Sequence, residues 1–451
     1  MSKSDTCDIF CAVVDNYGDI GVCWRLARQL AHEHGMTVRL WVDDLASFRR
    51  LCLSVDASLA QQHCRGVEVR HWTALFPEVK PAHLVIEAFA CELPQRYVTA
   101  MAEQSHSNSI SKVKQGGDER ATKTVHSVRL GASDLLAGSC PLRSDSVVGG
   151  EANAVSPMKW NWNHKAVWIN LEYLSAEDWV AGCHMLPSPH PSLPLVKYFF
   201  FPGFTAQTGG LLLERDLLMR RDAFQGDPQA IASYWQSLGV PQAKPDETRV
   251  SLFSYENPAL PELFSAWAAG NTPVCCLVPE GRALPQVAAF FGLSLAAPGD
   301  VFERGNLRVH VLPFVEQERY DELLWACDIN FVRGEDSSVR AQWAGKPFVW
   351  HIYPQHDGVH MQKLRALMAL YCAGLPPEAA HALHVLWEGW NPSAGTEQAA
   401  ATGPGQAWND FWKHRAILRQ HAQAWAQQLS CNSLALNLMD FFRKIDRIRG
   451  S

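Results

Sequence analysis

Short, continuous apolar runs recur along this chain with helix-like segments between them, and that alternation limits the possible folds more than any other feature. The first runs are residues 9–14 (Ile-Phe-Cys-Ala-Val-Val), 37–42 and 84–89, and a helical spacing of apolar positions extends from Val22 to His34. Apolar, partly β-branched runs suit strands buried on both faces, and strands alternating with amphipathic helices build βαβ units on a parallel sheet. Residues from about 105 to 160 differ in kind: rich in Ser, Gly, Lys and Asp, with few periodic apolar positions, they read as a mobile surface insertion. Another strand is expected at 166–173. A second α/β series starts near Arg249 to Tyr255, after a Pro- and Gly-containing segment at 238–247, and continues through 273–278, 307–312 and 328–332. The expected organisation is a first α/β domain over 1–237, a second over 238–430, and a C-terminal helix in 431–451 that packs back on the first.

A chain of 451 residues is long enough for two such domains, each with its own core. Its 47% hydrophobic and 19% charged residues suit a folded globular protein, and a net charge of −6 gives no support to a nucleic-acid partner. The thirteen cysteines are scattered through apolar runs without a CxxC pair, which favours buried, reduced thiols. The N-terminal residues lack the basic and apolar regions of a secretory signal, and no apolar run reaches the ~18 residues that a membrane span needs. A cytoplasmic protein with no membrane partner is expected.

Two strand ends carry candidate chemistry. After the first comes Val13-Val14-Asp15-Asn16-Tyr17-Gly18-Asp19-Ile20-Gly21, a pair of carboxylates in a Gly-containing turn before a helix. Open α/β sheets bind ligands in the crevice outside the carboxyl ends of their strands, so Asp15 and Asp19 are candidate acid/base or orienting groups. Asp at such a position also makes turn and N-cap hydrogen bonds, and that reading stays open. The second half repeats the pattern with a strand, the turn Arg333-Gly334-Glu335-Asp336-Ser337, and a helix. Free N–H groups and the positive dipole end of that helix suit a diphosphate, with Arg333 and the Ser337 hydroxyl extending the anion site. A cap at Asp336 or Ser337, with Arg333 paired to a surface acid, accounts for the same residues.

Flat side chains for a nucleotide base occur near these turns: Phe253 and Tyr255 at the end of one strand, Phe314, Gln317 and Tyr320 after another, and Tyr353 on the next loop beside Gln355 and His356. Aromatics at strand ends are also common core residues. The seventeen tryptophans, with Trp408, Trp412 and Trp425 in helix-like stretches, read as core or domain-contact residues rather than a carbohydrate-stacking surface. The chain has no GxGxxG fingerprint, Walker A loop, GxSxG elbow or zinc-ligand spacing, which argues against P-loop phosphoryl transfer and nucleophile-elbow hydrolysis. No metal is expected.

The segments 8–30 (DIFCAVVDNYGDIGVCWRLARQL), 40–45 (LWVDDL), 170–179 (NLEYLSAEDW), 201–205 (FPGFT), 208–211 (TGGL) and 328–355 resemble the protein-arginine rhamnosyltransferases that modify translation elongation factor P. The likeness spans nearly the whole chain, and the insertion at about 105–160 is its clear departure. The resemblance implies a GT-B glycosyltransferase with two Rossmann-like domains facing across a cleft, the donor held by the second and the acceptor protein by the first. It implies dTDP-β-L-rhamnose as donor and inverting transfer to an arginine of elongation factor P, which activates that factor for translation of polyproline stretches. Carried onto this sequence, it implies Asp19 as general base, Asp15 as a neighbouring essential carboxylate and Glu335 as an acid required for activity. It places Phe253, Tyr255, Phe314, Gln317 and Arg333 in the segments that bind nucleotide and diphosphate, with Asp336 and Ser337 following in the same motif, Tyr320 where an aromatic ring would stack on thymine, and Tyr353 as a further pocket residue; Tyr17 and Gly18 are substrate-binding candidates in the first turn.

The chemistry is consistent with this. A guanidinium has a pKa above ~12 and no lone pair free to attack, so it needs carboxylates to localise its charge and take a proton. Two other readings of the same residues are a nucleotide-sugar epimerase of the same architecture and a non-catalytic sugar- or protein-binding module.

Overall fold

The computed structural model describes residues 5–15, 17–113, 166–354, 358–391 and 403–450. The first sheet comprises β1 (Thr6–Cys11), β2 (Thr37–Val42), β3 (Gln61–Cys64), β4 (Val67–His71), β5 (Leu84–Ala88), β6 (Val167–Leu171), β7 (Pro187–Pro189) and β8 (Val196–Phe200), in the order β3-β4-β2-β1-β5-β6-β8-β7. Its neighbours are parallel except for β3–β4 and β7–β8 at the two edges. The second sheet comprises β9 (Thr248–Leu252), β10 (Val274–Pro279), β11 (Val301–Arg304), β12 (Leu307–Leu312), β13 (Ile329–Arg333) and β14 (Phe348–His351), in the order β11-β12-β10-β9-β13-β14. Only the β11–β12 edge pair is antiparallel.

Strands β5, β6, β9, β10 and β13 are buried at every residue, as apolar runs sandwiched between helices must be. In each sheet the chain reverses direction beside a central strand. It leaves β1 toward β2 and returns on the other side with β5; likewise it leaves β9 toward β10 and returns with β13. Loops that follow strands at such a reversal diverge and leave a crevice. Residues 12–15 and 89–94 open the first crevice, and 253–259 and 334–335 open the second.

The helix after β1 runs Gly18–His34, four residues longer at its start than the apolar spacing predicts, so Asp19 lies in its first turn. Ile20, Cys23, Trp24, Ala27 and Leu30 bury one face in the first core, while Arg25 and Gln29 are buried on another face turned to the second half. Helices Leu217–Gln225 and Pro228–Ser237, assigned from sequence to the first domain, pack on the second: Leu217 joins its main core, and Tyr234 and Trp235 pack with Cys275 and Leu277. Their apolar faces find cover there, ahead of the Pro- and Gly-containing segment at 238–247.

Leu434, Leu438 and Phe442 of the last helix, Leu434–Gly450, are buried in the first core. Helix Gln95–Val113 runs into the expected insertion, because its buried Tyr97, Val98 and Met101 anchor a helix that then propagates. The rest of that insertion lies outside the described residues. Trp408 and Trp425 are core residues. Among the described residues the cysteines are free thiols, most of them buried, with Cys431 exposed, and no helix is long and apolar enough to cross a membrane.

Candidate active site

The turn after β1 is organised by Asp19. Its carboxylate, 3% exposed, folds back so that Oδ2 accepts the N–H groups of Val14 at 2.8 Å and Asp15 at 2.9 Å. The turn-stabilising role left open by the sequence is therefore real, and it uses one oxygen. Burial pushes the Asp19 carboxyl above its usual range, opposed by those two backbone bonds and reinforced by Asp15 and Asp43. A carboxylate with raised proton affinity is a stronger base. Asp15 points across the cleft, where its Oδ2 accepts the Tyr255 hydroxyl at 2.5 Å, while its buried Oδ1 has no partner.

The turn after β13 meets it from the other side. Gly334 has φ +61°, and a Cβ there would stand 2.9 Å from Asp15 Oδ2 and 3.1 Å from the Tyr255 hydroxyl, so both its backbone and its neighbours require glycine. Arg333 makes no ion pair with any described residue. Its guanidinium carbon lies 4.4 Å from the Phe253 ring centre and 4.7 Å from that of Tyr255, and its Nη1 is buried without a partner. Burial lowers the proton affinity of Arg333, Arg282 acts in the same direction, and Tyr255 and Asp15 oppose them. Glu335 is half-buried, and its Oε1 accepts the Leu174 N–H at 3.0 Å. Burial pushes its carboxyl up to about 8, with Asp19 and Asp15 adding to the effect and Lys363 opposing it.

The helix that follows, Asp336–Ala344, has no side-chain cap, so the cap expected at Asp336 or Ser337 does not form. The Ser337 hydroxyl instead bonds back to Arg333, accepting its N–H at 3.0 Å and donating to its carbonyl, which leaves that hydroxyl less free for an anion than expected. Asp336 Oδ1 accepts Arg25 Nε at 2.9 Å, and the Gln317 amide donates to the Gly21 carbonyl at 3.0 Å and to Asp336 Oδ2 at 3.3 Å. These two side chains line a pocket and also tie the two halves together.

Two pockets meet at Asp15 and Gly18. One, about 570 Å³ including its open mouth, is walled by Tyr17, Phe253, Phe314, Gln317, Tyr320, Arg333, Asp336 and Ser337. In it Tyr17 packs on Phe314 with ring centres 5.0 Å apart, and Phe253 meets Tyr320 edge-on at 5.6 Å. The other, about 880 Å³ on the same measure, holds Asp19, Glu335 and Tyr353. Tyr255 stands behind the junction, edge-on to Tyr353 at 5.6 Å. The structure thus gathers the expected site residues around one cleft, while Asn16, Gln355 and His356 lie outside the described residues. Sequence reasoning missed Phe89, Tyr173 and Lys363 in the second pocket, and Arg25 beneath the first. The one available signal was position, since Phe89 and Tyr173 follow β5 and β6 at the crevice side of the sheet.

The model of the Elongation-Factor P (EF-P) rhamnosyltransferase EarP family matches residues 7–113 and 152–443. The chain belongs to this family. It is 46% identical over 439 residues to a protein-arginine rhamnosyltransferase of Pseudomonas putida, with 97% of this chain and 98% of that protein covered. A protein-arginine rhamnosyltransferase of Pseudomonas aeruginosa is 43% identical, with 96% and 98% covered. A solved structure concerned with EarP-mediated arginine glycosylation of translation elongation factor EF-P superposes with a TM-score of 0.60 at 34% identity, covering 98% of this chain and 99% of that one. The fold is GT-B, and the protein is an enzyme, a protein-arginine rhamnosyltransferase. The epimerase and binding-module readings gain nothing from these relatives. The family match omits residues 114–151, a narrower departure than the 105–160 expected from composition.

Proposed function

We propose that this enzyme transfers L-rhamnose from dTDP-β-L-rhamnose to an arginine guanidinium of translation elongation factor P, with inversion at C1, in the cytoplasm and without a metal ion, activating that factor for translation of polyproline stretches. One observation carries the reading: a pocket with aromatic walls and an unpaired arginine opens, at Asp15, into a pocket holding two carboxyl groups of raised proton affinity. The base and diphosphate of the donor occupy the first, among Tyr17, Phe253, Phe314, Gln317, Tyr320, Arg333, Asp336 and Ser337. The acceptor guanidinium enters the second.

Asp15 orients the guanidinium while Asp19 takes its proton. The freed nitrogen bonds to C1 from the face opposite the leaving group, the C1–O bond to the β-phosphate breaks, and dTDP departs toward Arg333 and the start of helix Asp336–Ala344. Glu335 holds a proton in the empty pocket for much of the time near neutral pH; the arriving cation favours its ionised form and pairs with it. Arg333 and the helix N-terminus offset the charge that develops on the diphosphate, which a divalent ion would otherwise do.

The test combines purified enzyme, dTDP-rhamnose and elongation factor P, read by intact mass. One added deoxyhexosyl unit on an arginine is expected, with chelator present or absent. Asp19→Asn should abolish transfer while dTDP still binds. Full activity in that variant removes Asp19 as the base, and loss of activity in chelator, restored by a divalent ion, removes the metal-free clause.

A further inference from the structure

Phe89 and Tyr173 stand in the second pocket with their rings stacked, centres 4.6 Å apart and planes 20° from parallel. Each follows a central strand of the first sheet, β5 and β6, and each is partly open to the pocket. The backbone under the pair is strained, with Phe89 at φ +57° and the next residue, Ala90, at φ +53°, left-handed conformations that disfavour non-glycine residues. Such a ring position is retained against the preference of its own backbone. A cation already stands over this platform: the Lys363 ammonium lies 5.8 Å from the Tyr173 ring centre. Asp19, Glu335 and Asp15 line the same pocket; burial pushes the Tyr173 phenol up, and their fields add to it. A planar cation is the ligand that satisfies both a flat π face and carboxylates at its edge.

We propose that the Phe89–Tyr173 stack is the shelf on which the acceptor guanidinium lies, with its N–H edge turned to the carboxyl groups of Asp19 and Glu335. The inference rests on the arginine-transfer reading and adds what selects a guanidinium over other nucleophiles. Lys363 holds the shelf in the empty enzyme and gives way to the acceptor, because two cations cannot share one ring face.

The experiment compares wild type, Tyr173→Leu, Tyr173→Phe and Phe89→Leu by donor affinity and by steady-state kinetics on elongation factor P. Tyr173→Leu should raise the acceptor KM about tenfold and leave dTDP affinity unchanged, while Tyr173→Phe, which keeps the ring, should behave nearly as wild type. Phe89→Leu should fall between them. An unchanged acceptor KM in Tyr173→Leu, or equal losses of dTDP and acceptor binding, overturns the shelf. Methylguanidinium binding, measured by calorimetry, separates the two readings. If elongation factor P is not modified by wild type yet methylguanidinium binds in a Tyr173-dependent way, the acceptor assignment falls and the shelf stands. If its binding ignores Tyr173, the shelf falls.

Discussion

Arg25 and Arg333 are both buried in the cleft between the sheets, and they are buried in opposite ways. Arg25, 1% exposed, reaches Asp336 at 2.9 Å, Asp321 at 3.0 Å and Glu214 at 3.5 Å, and it shares Asp321 and Glu214 with Arg340. Burial works against its charge, yet Asp321, Asp336 and Glu214 together raise its hold on the proton. Arg333, 5% exposed, has two aromatic rings, one unpartnered nitrogen and no ion pair with any described residue, and burial lowers its proton affinity despite the opposing fields of Tyr255 and Asp15. A buried charge that its own fold neutralises is cement. A buried charge that its fold leaves unpaired is costly unless a ligand brings the missing counter-charge, as the proposed donor's anionic diphosphate would. The surrounding contacts follow the same division: Arg28 and Arg65 of the first half bond to Glu318, and Arg50 bonds to Glu280, while Arg333 makes no ion pair with any described residue at the aromatic-walled pocket.

Removing each arginine should therefore do different things. Arg25→Met leaves Asp321 and Asp336 buried with too little positive charge, and a loss of about 3–5 kcal/mol is expected, read as a large drop in melting temperature. An unchanged melting temperature would show that the network is not what joins the halves. Arg333→Met removes an unpaired buried charge, so the empty enzyme should be as stable as wild type or more so. Its dTDP affinity should fall by roughly 10- to 100-fold, the value of about 1.5–3 kcal/mol for a hydrogen bond to a charged group. Calorimetry with dTDP and thermal denaturation on the same sample decide it. If Arg333→Met unfolds as readily as Arg25→Met, the distinction between cement and site collapses.

The same division sets how much the sequence discloses. The doubly buried strands are legible because an unbroken apolar run has few other uses, and the turns at Asp15–Asp19 and Arg333–Ser337 are legible because both follow such runs. Edge strands β3 (Gln-Gln-His-Cys) and β7 (Pro-Ser-Pro) are not, since they carry little apolar signal and are defined by the neighbour they pair with. Arg25 is invisible for a similar reason: Asp321 and Asp336 are 296 and 311 residues away, and no local pattern marks such a partner. Helices Leu217–Gln225 and Pro228–Ser237 precede the segment read as the boundary, and a local pattern does not say which sheet a helix covers. Phe89 looks like the last residue of a strand, and only its positive φ shows that the chain has already turned into the pocket.

The smallest expected effect tests the acid on the acceptor side. Glu335 has a folded-state pKa of about 8 against an ordinary value of 4.5, so folding favours its protonated form. The stability it contributes is fully present below the unfolded value and is lost as pH rises through about 8. Between pH 7 and 9 the loss is about 1.4 kcal/mol, because a proton held in the native state and absent from the unfolded one is largely released over that interval. Unfolding measurements across this range should show that decline in wild type and a shallower one in Glu335→Gln, with the two curves diverging toward high pH. Bound acceptor should also shallow the wild-type decline, since a guanidinium beside Glu335 lowers its pKa. Were the wild-type and Glu335→Gln curves to run parallel from pH 7 to 9, Glu335 would be ionised in the empty pocket already, and the contrast between an acid awaiting a cation and an arginine awaiting an anion would have to be given up.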